Sequence, residues 1–338
     1  MWLASSALVI FVLGLGYKVG LDWVSYQDNY YYNNDSEGFE PLYNLLSRLF
    51  ASLNINFWFF AIFIKSVNVI LLLSIFKRYT KLPILTVTIF LALTYPYIND
   101  VLRQIVASII LLSSFLLFKK MPSILSIILS TGFHTSSLML LLGKFNVFKL
   151  SSKKFTILII LSSIGFGSLL MGLLSSGLFT TLNIMAISKL QMYSEDSNIA
   201  NIYSSIVRLS IYALALYFQT RVSNVKSGIN DWIYRATLLM LIIELLTMSI
   251  PIISQRVRLY LLPFVCIALT NGIATLPKGT KLILIGYVLS YCILFLYLFT
   301  HGVFGAFYQI DMNILIQLLR GFPPNNWESA AYSFWKYR

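Results

Sequence analysis

The 338 residues are 58% hydrophobic and only 11% charged, with a mean hydropathy of +0.79. Soluble globules carry nearer a quarter charged residues, so this composition excludes one and points to a polytopic membrane protein with no room for a sizeable soluble domain. A net charge of +13 would suit nucleic acid if its cations formed a stripe, but the Lys and Arg residues stand singly or in short clusters between apolar runs, so no nucleic-acid partner is expected.

The predicted fold is all-α, one transmembrane domain over residues 1–338 with about 10 to 11 membrane segments. Apolar runs fall at about 2–17, 56–76, 83–98, 101–118, 121–143, 155–178, 206–222, 232–250, 258–276 and 282–300. The first lacks a basic n-region and leads straight into polar sequence, so it reads as an uncleaved span and not a signal peptide. Cys266 and Cys292 both lie inside apolar runs, which argues against a disulfide framework and against a zinc site.

Residues 18–41 form a polar island holding five of the twelve acidic residues, Asp22, Asp28, Asp35, Glu37 and Glu40, among Tyr26, Tyr30, Tyr31 and Tyr32. Carboxylates beside flat amphipathic rings suit sugar binding at a membrane surface; a solvated loop with a headgroup belt of aromatics is the plain alternative. Residues 42–54 carry apolar side chains at helical spacing interrupted by Asn44 and Arg48, which predicts an interfacial helix closing the first extracytoplasmic loop, 18–54.

The run at 121–143 is interrupted by TGFHTSS around His134. With the island outside, a hairpin here puts eleven lysines inside (77, 81, 119, 120, 144, 149, 153, 154, 226, 278, 281) and three outside (18, 189, 336). A single crossing would give six and eight, so the positive-inside bias favours a re-entrant or broken hairpin with His134 at its tip, in a cavity. The arginines run the other way: Arg48, Arg103, Arg208, Arg256, Arg258, Arg320 and Arg338 fall outside, against Arg78, Arg221 and Arg235 inside. A planar fork that grips phosphate oxygens explains that preference better than topology, and predicts an anionic, phosphate-bearing ligand at the outer face. For Arg320 and Arg338 a headgroup contact suffices.

A second extracytoplasmic loop is expected at 179–205, with Tyr193, Glu195 and Asp196, and an extracytoplasmic tail at 301–338 with an interfacial helix at 311–320 ended by Pro323 and Pro324. Lys65 and Glu244 fall deep in spans; facing the bundle interior, they are expected to pair with each other.

Several motifs together resemble a known family. Gly20-Leu21-Asp22-Trp23 followed by Tyr26, then Glu40-Pro41-Leu42-Tyr43, then Leu102-Arg103-Gln104-Ile105-Val106-Ala107, then Phe133-His134-Thr135-Ser136-Ser137, and later Arg256-Val257-Arg258-Leu259-Tyr260, are similar to the EpsG/Wzy-like bacterial polysaccharide polymerases. The resemblance covers about 14–265; Val106 replaces a frequent leucine, and nothing is carried over to the tail beyond 300.

The resemblance implies a GT-C-like glycosyltransferase of the bacterial inner membrane, its active site facing the periplasm or outside. It would move a growing glycan from undecaprenyl diphosphate to the non-reducing end of an undecaprenyl-diphosphate-linked repeat unit, making O-antigen, capsule or exopolysaccharide, without sugar nucleotide, metal or other cofactor. Its partners would be lipid-linked oligosaccharides and membrane lipid, with a chain-length regulator and a flippase as candidate protein partners. A leaving diphosphate needs fixed cations, and Arg103, Arg256 and Arg258 at the outer ends of spans form the expected clamp, with Arg208 as a fourth. Asp22, Glu40 and His134 are candidate bases or hydrogen-bond acceptors for the incoming hydroxyl. Trp23 and Tyr26 are expected to stack on sugar, and Gln104 and Tyr260 to contact substrate or a neighbouring helix. A polytopic acyltransferase, or a flippase or transporter for lipid-linked sugar, is the competing reading; the first should gather polar residues on the cytoplasmic side and the second at the midplane with repeat symmetry.

Overall fold

The computed structural model describes residues 2–32, 39–98, 100–118, 122–145, 199–222, 228–248, 251–301 and 313–321. Among these every regular element is a helix, and the lone β-bridge joins Gly16 to Asn313. The expected span at 155–178, Tyr193, Glu195 and Asp196, and the tail beyond 321 lie outside the described residues. The chain divides into two compact units, Met1–Leu138 with Pro277–Arg338, and Met139–Leu276.

In the first unit, α1 (Trp2–Val9) continues as a π-helical turn, Ile10–Gly14, and stops there, three residues short of the expected span end. Its 13 residues reach about 20 Å, less than the hydrocarbon thickness. The end of this helix is held from the C-terminal side, where the Ile314 N–H donates to the Leu15 carbonyl and the Asn313 side-chain amide donates to that of Phe11.

The polar island, expected as a loop, contains α2 (Trp23–Tyr32). Its buried face is Trp23, Val24, Tyr26, Asn29 and Tyr30, with Asp28 exposed on the other side. The helix expected at 42–54 is α3 (Pro41–Ser52), started by Pro41 at a first-turn position that needs no N–H. It buries Tyr43 and Ser47 and leaves Leu45 and Leu49 exposed. An Asn29 to Asn44 hydrogen bond of 3.1 Å ties α2 to α3.

The long helix α4 (Phe57–Tyr79) starts at Asn56, whose side chain accepts from the Trp58 N–H at 2.9 Å, and ends with Lys77 and Arg78 near its negative pole. It packs on α5 (Pro83–Ile98) and α6 (Leu102–Phe118). Helix α7 (Ile124–Thr131), capped by Ser123, packs on α6 and breaks at Gly132 and Phe133; a 3-10 helix, Thr135–Lys144, follows. The break in the 121–143 run is thus where the sequence puts it, with neither arm long enough to span and His134 at the junction.

In the second unit, α8 (Ile199–Val222), α9 (Gly228–Leu246) and α10 (Pro251–Ala274) pack on one another in all three pairings. Residues 199–205, read from sequence as loop, belong to α8. Returning to the first unit, α11 (Lys278–Thr300) packs on α5, and α12 (Ile314–Arg320) follows the Asn313 cap. The expected terminator of α12 was the Pro pair at 323 and 324; Gly321 ends it earlier, at φ +71°, a left-handed conformation that glycine adopts without strain.

Three described helices have the length and apolarity to cross a membrane, within Phe57–Tyr79, Ser254–Ala274 and Lys278–Tyr297. Cys266 and Cys292 are buried free thiols.

Candidate functional site

The first unit gathers four of the singled-out residues into one hydrogen-bonded chain. Glu40 stands at the N-cap of α3 in extended backbone, pointing its carboxylate at the break between α7 and the 3-10 helix. Its Oε2 accepts from Arg103 Nη1 at 2.6 Å, and its Oε1 accepts from His134 Nδ1 at 2.8 Å and from the Thr135 N–H at 3.1 Å. On the far side of the ring, Gln104 Nε2 lies 2.8 Å from His134 Nε2. An ionised carboxylate only accepts, so Nδ1 carries the proton; the Gln104 amide N–H then donates to Nε2, and the imidazole is neutral. The α3 N-terminus is fixed to the same turn a second time, by the Leu42 N–H donating to the Gly132 carbonyl at 3.1 Å.

Burial raises the Glu40 pKa, yet the His134 hydrogen bond, the Arg103 charge, the His134 charge when protonated and the Thr135 N–H together outweigh it and hold the group at about 2. That makes Glu40 a permanent anion and a weak base. His134 is 5% exposed with both ring nitrogens hydrogen-bonded, so it orients its neighbours. The chain of bonds also explains Gln104, which faces His134 from the same helix that carries Arg103.

Arg103 lies in an aromatic collar. Its guanidinium carbon is 4.6 Å from the Phe39 ring centre and 5.9 Å from that of Tyr26. The Tyr26 phenol is pushed up to about 12, first by burial and then by the neighbouring Asp22 and Asp100 carboxylates, against the Arg103 charge. Tyr26 is buried against Phe39 and Tyr43, and Trp23 against Trp58 at 5.5 Å. Both rings, expected to stack on sugar, are buried among other aromatics in tilted or edge-on contacts, where α2 packs on α3 and α4.

Asp100 went unnoticed in the sequence. Its Oδ1 accepts from the Asp22 N–H at 2.7 Å, while the Asp22 carbonyl accepts from Tyr26 N–H and Ser25 Oγ in the first turn of α2. The only sequence hint was an acid three residues before Arg103 at the mouth of a span. Lys65, 5% exposed, points its ammonium at the Gly16 carbonyl, 3.5 Å away.

In the second unit, Glu244 is the centre of an ion triad drawn from all three helices. Arg208 Nε donates to its Oε1 at 2.7 Å and Arg258 Nη2 approaches its Oε2 at 3.5 Å, while Arg208 Nη2 donates to Ser205 at 2.7 Å. Glu244, expected to pair with Lys65, meets two guanidiniums of its own unit. Arg258 is 1% exposed and Tyr260 is buried beside it on α10, whereas Arg256 is only partly buried. Arg235 is committed elsewhere, to Asp231 at 2.8 Å and to the Gly143 and Phe145 carbonyls. Among the described residues no three His, Cys, Asp or Glu side chains converge on a metal-sized site.

The EpsG family model matches residues 1–337, well beyond the 14–265 stretch in which the motifs are read, and it includes the tail that the motifs do not reach. No curated protein and no solved structure matches the chain.

Proposed function

The chain belongs to the EpsG family, and on that premise we propose that it is a GT-C-like polysaccharide polymerase of the bacterial inner membrane, taking undecaprenyl-diphosphate-linked repeat units at the outer face. The growing glycan leaves its lipid diphosphate and passes to the non-reducing end of the next unit. The observation that carries this reading is the Arg103–Glu40–His134–Gln104 chain, which fixes a guanidinium at the start of an apolar helix.

As the anomeric C–O bond breaks, negative charge grows on the diphosphate oxygen, and Arg103, with the positive pole of α6 behind it, offsets that charge. Glu40 and His134 hold the guanidinium in place, and Gln104 keeps the imidazole neutral. The proton of the attacking hydroxyl then falls to Asp22, the candidate carboxylate whose backbone is anchored next to Tyr26. In the second unit Arg208 and Arg258 carry two positive charges against one carboxylate; the triad keeps a net charge of +1, and Arg256 on the same helix as Arg258 is the partly exposed cation there. That unit is proposed as a second anion-attracting surface.

Purified protein given only undecaprenyl-diphosphate repeat units should yield a ladder of longer glycans. Unaltered units moved between leaflets would show a flippase, and a requirement for an acyl donor would show an acyltransferase. Asp22→Asn should remove the ladder while leaving the thermal unfolding temperature nearly unchanged.

A further inference from the structure

We infer that Asp100 is a positioning residue for Arg103. The inference rests on Arg103 being the guanidinium used in the proposed reaction, and deepens that reading.

Three contacts place it. Asp100 sits two residues before α6 and its carbonyl accepts from the Leu102 N–H at 3.2 Å. Its Oδ1 accepts, at 2.7 Å, from the N–H of Asp22, 78 residues upstream, where α2 begins. Gly20 lies against the same carboxylate: a Cβ there would stand 2.3 Å from Oδ1 and 2.4 Å from Cγ, and the backbone is at φ +83°. Both the space and the conformation demand glycine. One carboxylate therefore joins the start of α2 to the start of α6. Tyr26, four residues past Asp22, and Arg103, three past Asp100, are one turn further along the two helices, and there the Arg103 guanidinium carbon lies 5.9 Å from the Tyr26 ring centre. The two helices are joined at their roots by Asp100 and meet again one turn on at Tyr26 and Arg103. The root contact sets where the Tyr26 ring falls, and so which way the guanidinium faces.

Among the charged and titratable groups facing Asp100 are Lys65 from α4 and Asp22 and Tyr26 from the α2 side. The Lys65 charge offsets that of the carboxylate.

The test is a double-mutant cycle on the full chain in proteoliposomes. Asp100→Ala should reduce the ladder on the order of 10- to 100-fold, as displacement of a catalytic guanidinium by about 1 Å does. Asp100→Asn, which keeps an acceptor oxygen, should retain clearly more ladder than Asp100→Ala. In a Tyr26→Leu background Asp100→Ala should cost little further activity, because the ring it works through is already gone. The same cycle read as thermal unfolding needs no substrate and should also be non-additive. Gly20→Ala crossed with Tyr26→Leu replaces the Asp100→Ala arm if that variant does not fold, with the same coupling expected. A wild-type ladder together with additive effects in both readouts overturns the role of Asp100 alone. No wild-type ladder with non-additive unfolding leaves the Asp100 to Tyr26 link standing and removes the polymerase reading.

Discussion

At the scale of single residues, Glu40 is the group whose environment most changes its chemistry. Because its carboxyl is held at about 2, below an ordinary glutamate value near 4.5, it contributes stability that is complete above pH about 4.5 and is lost as pH falls through about 2. Unfolding temperatures measured between pH 7 and pH 2 should fall in that window for the wild type, and Glu40→Gln should flatten the fall while lowering the plateau. A wild-type curve identical to that of Glu40→Gln would show that the carboxylate is not held by Arg103 and His134. The sequence made the four visible one by one, Glu40 in the polar island, Arg103 among the outward arginines, Gln104 in the motif beside it and His134 where an apolar run is interrupted. That they bond in series was not legible, since residues 40 and 134 are brought together by tertiary packing alone. Asp100 was hidden for the opposite reason: an acid near a helix start is ordinary, and nothing in its neighbours announces a partner 78 residues away.

Element by element, periodicity and apolar length located α3, α4, α5, α6 and α11 closely, because each is a continuous run between clear cap or breaker residues such as Asn56, Pro83 and Pro277. It missed α2, where the polar residues on one side of a short helix outweigh Trp23, Tyr26 and Tyr30 on the other. It also ran α1 too far, since a π-helical turn carries no compositional mark. The docking of Asn313 on the end of that turn yields a prediction. Asn313→Ala removes both the cap of α12 and the hydrogen bond to the Phe11 carbonyl, so unfolding should be easier by about 1 to 2 kcal/mol, whereas Asn313→Asp, which still caps, should recover part of it.

The whole molecule comprises two compact helical units, each with its own buried ionic group, a division that hydropathy does not reveal because both are equally apolar. In the second unit, truncating one member of the triad strands buried charge. Glu244→Leu should destabilise by about 3 to 5 kcal/mol in a denaturant titration, and a loss under about 1 kcal/mol would mean the two arginines are solvated and not paired. At this scale the account depends on a guanidinium that grips a lipid diphosphate at the outer membrane face. The direct measurement compares wild-type protein with Arg103→Lys, both reconstituted with undecaprenyl-diphosphate repeat units and shown by thermal unfolding to be folded. The lysine keeps the charge and loses the planar fork, so the account predicts a glycan ladder from the wild type and little or none from the variant. An undiminished ladder from Arg103→Lys would contradict it.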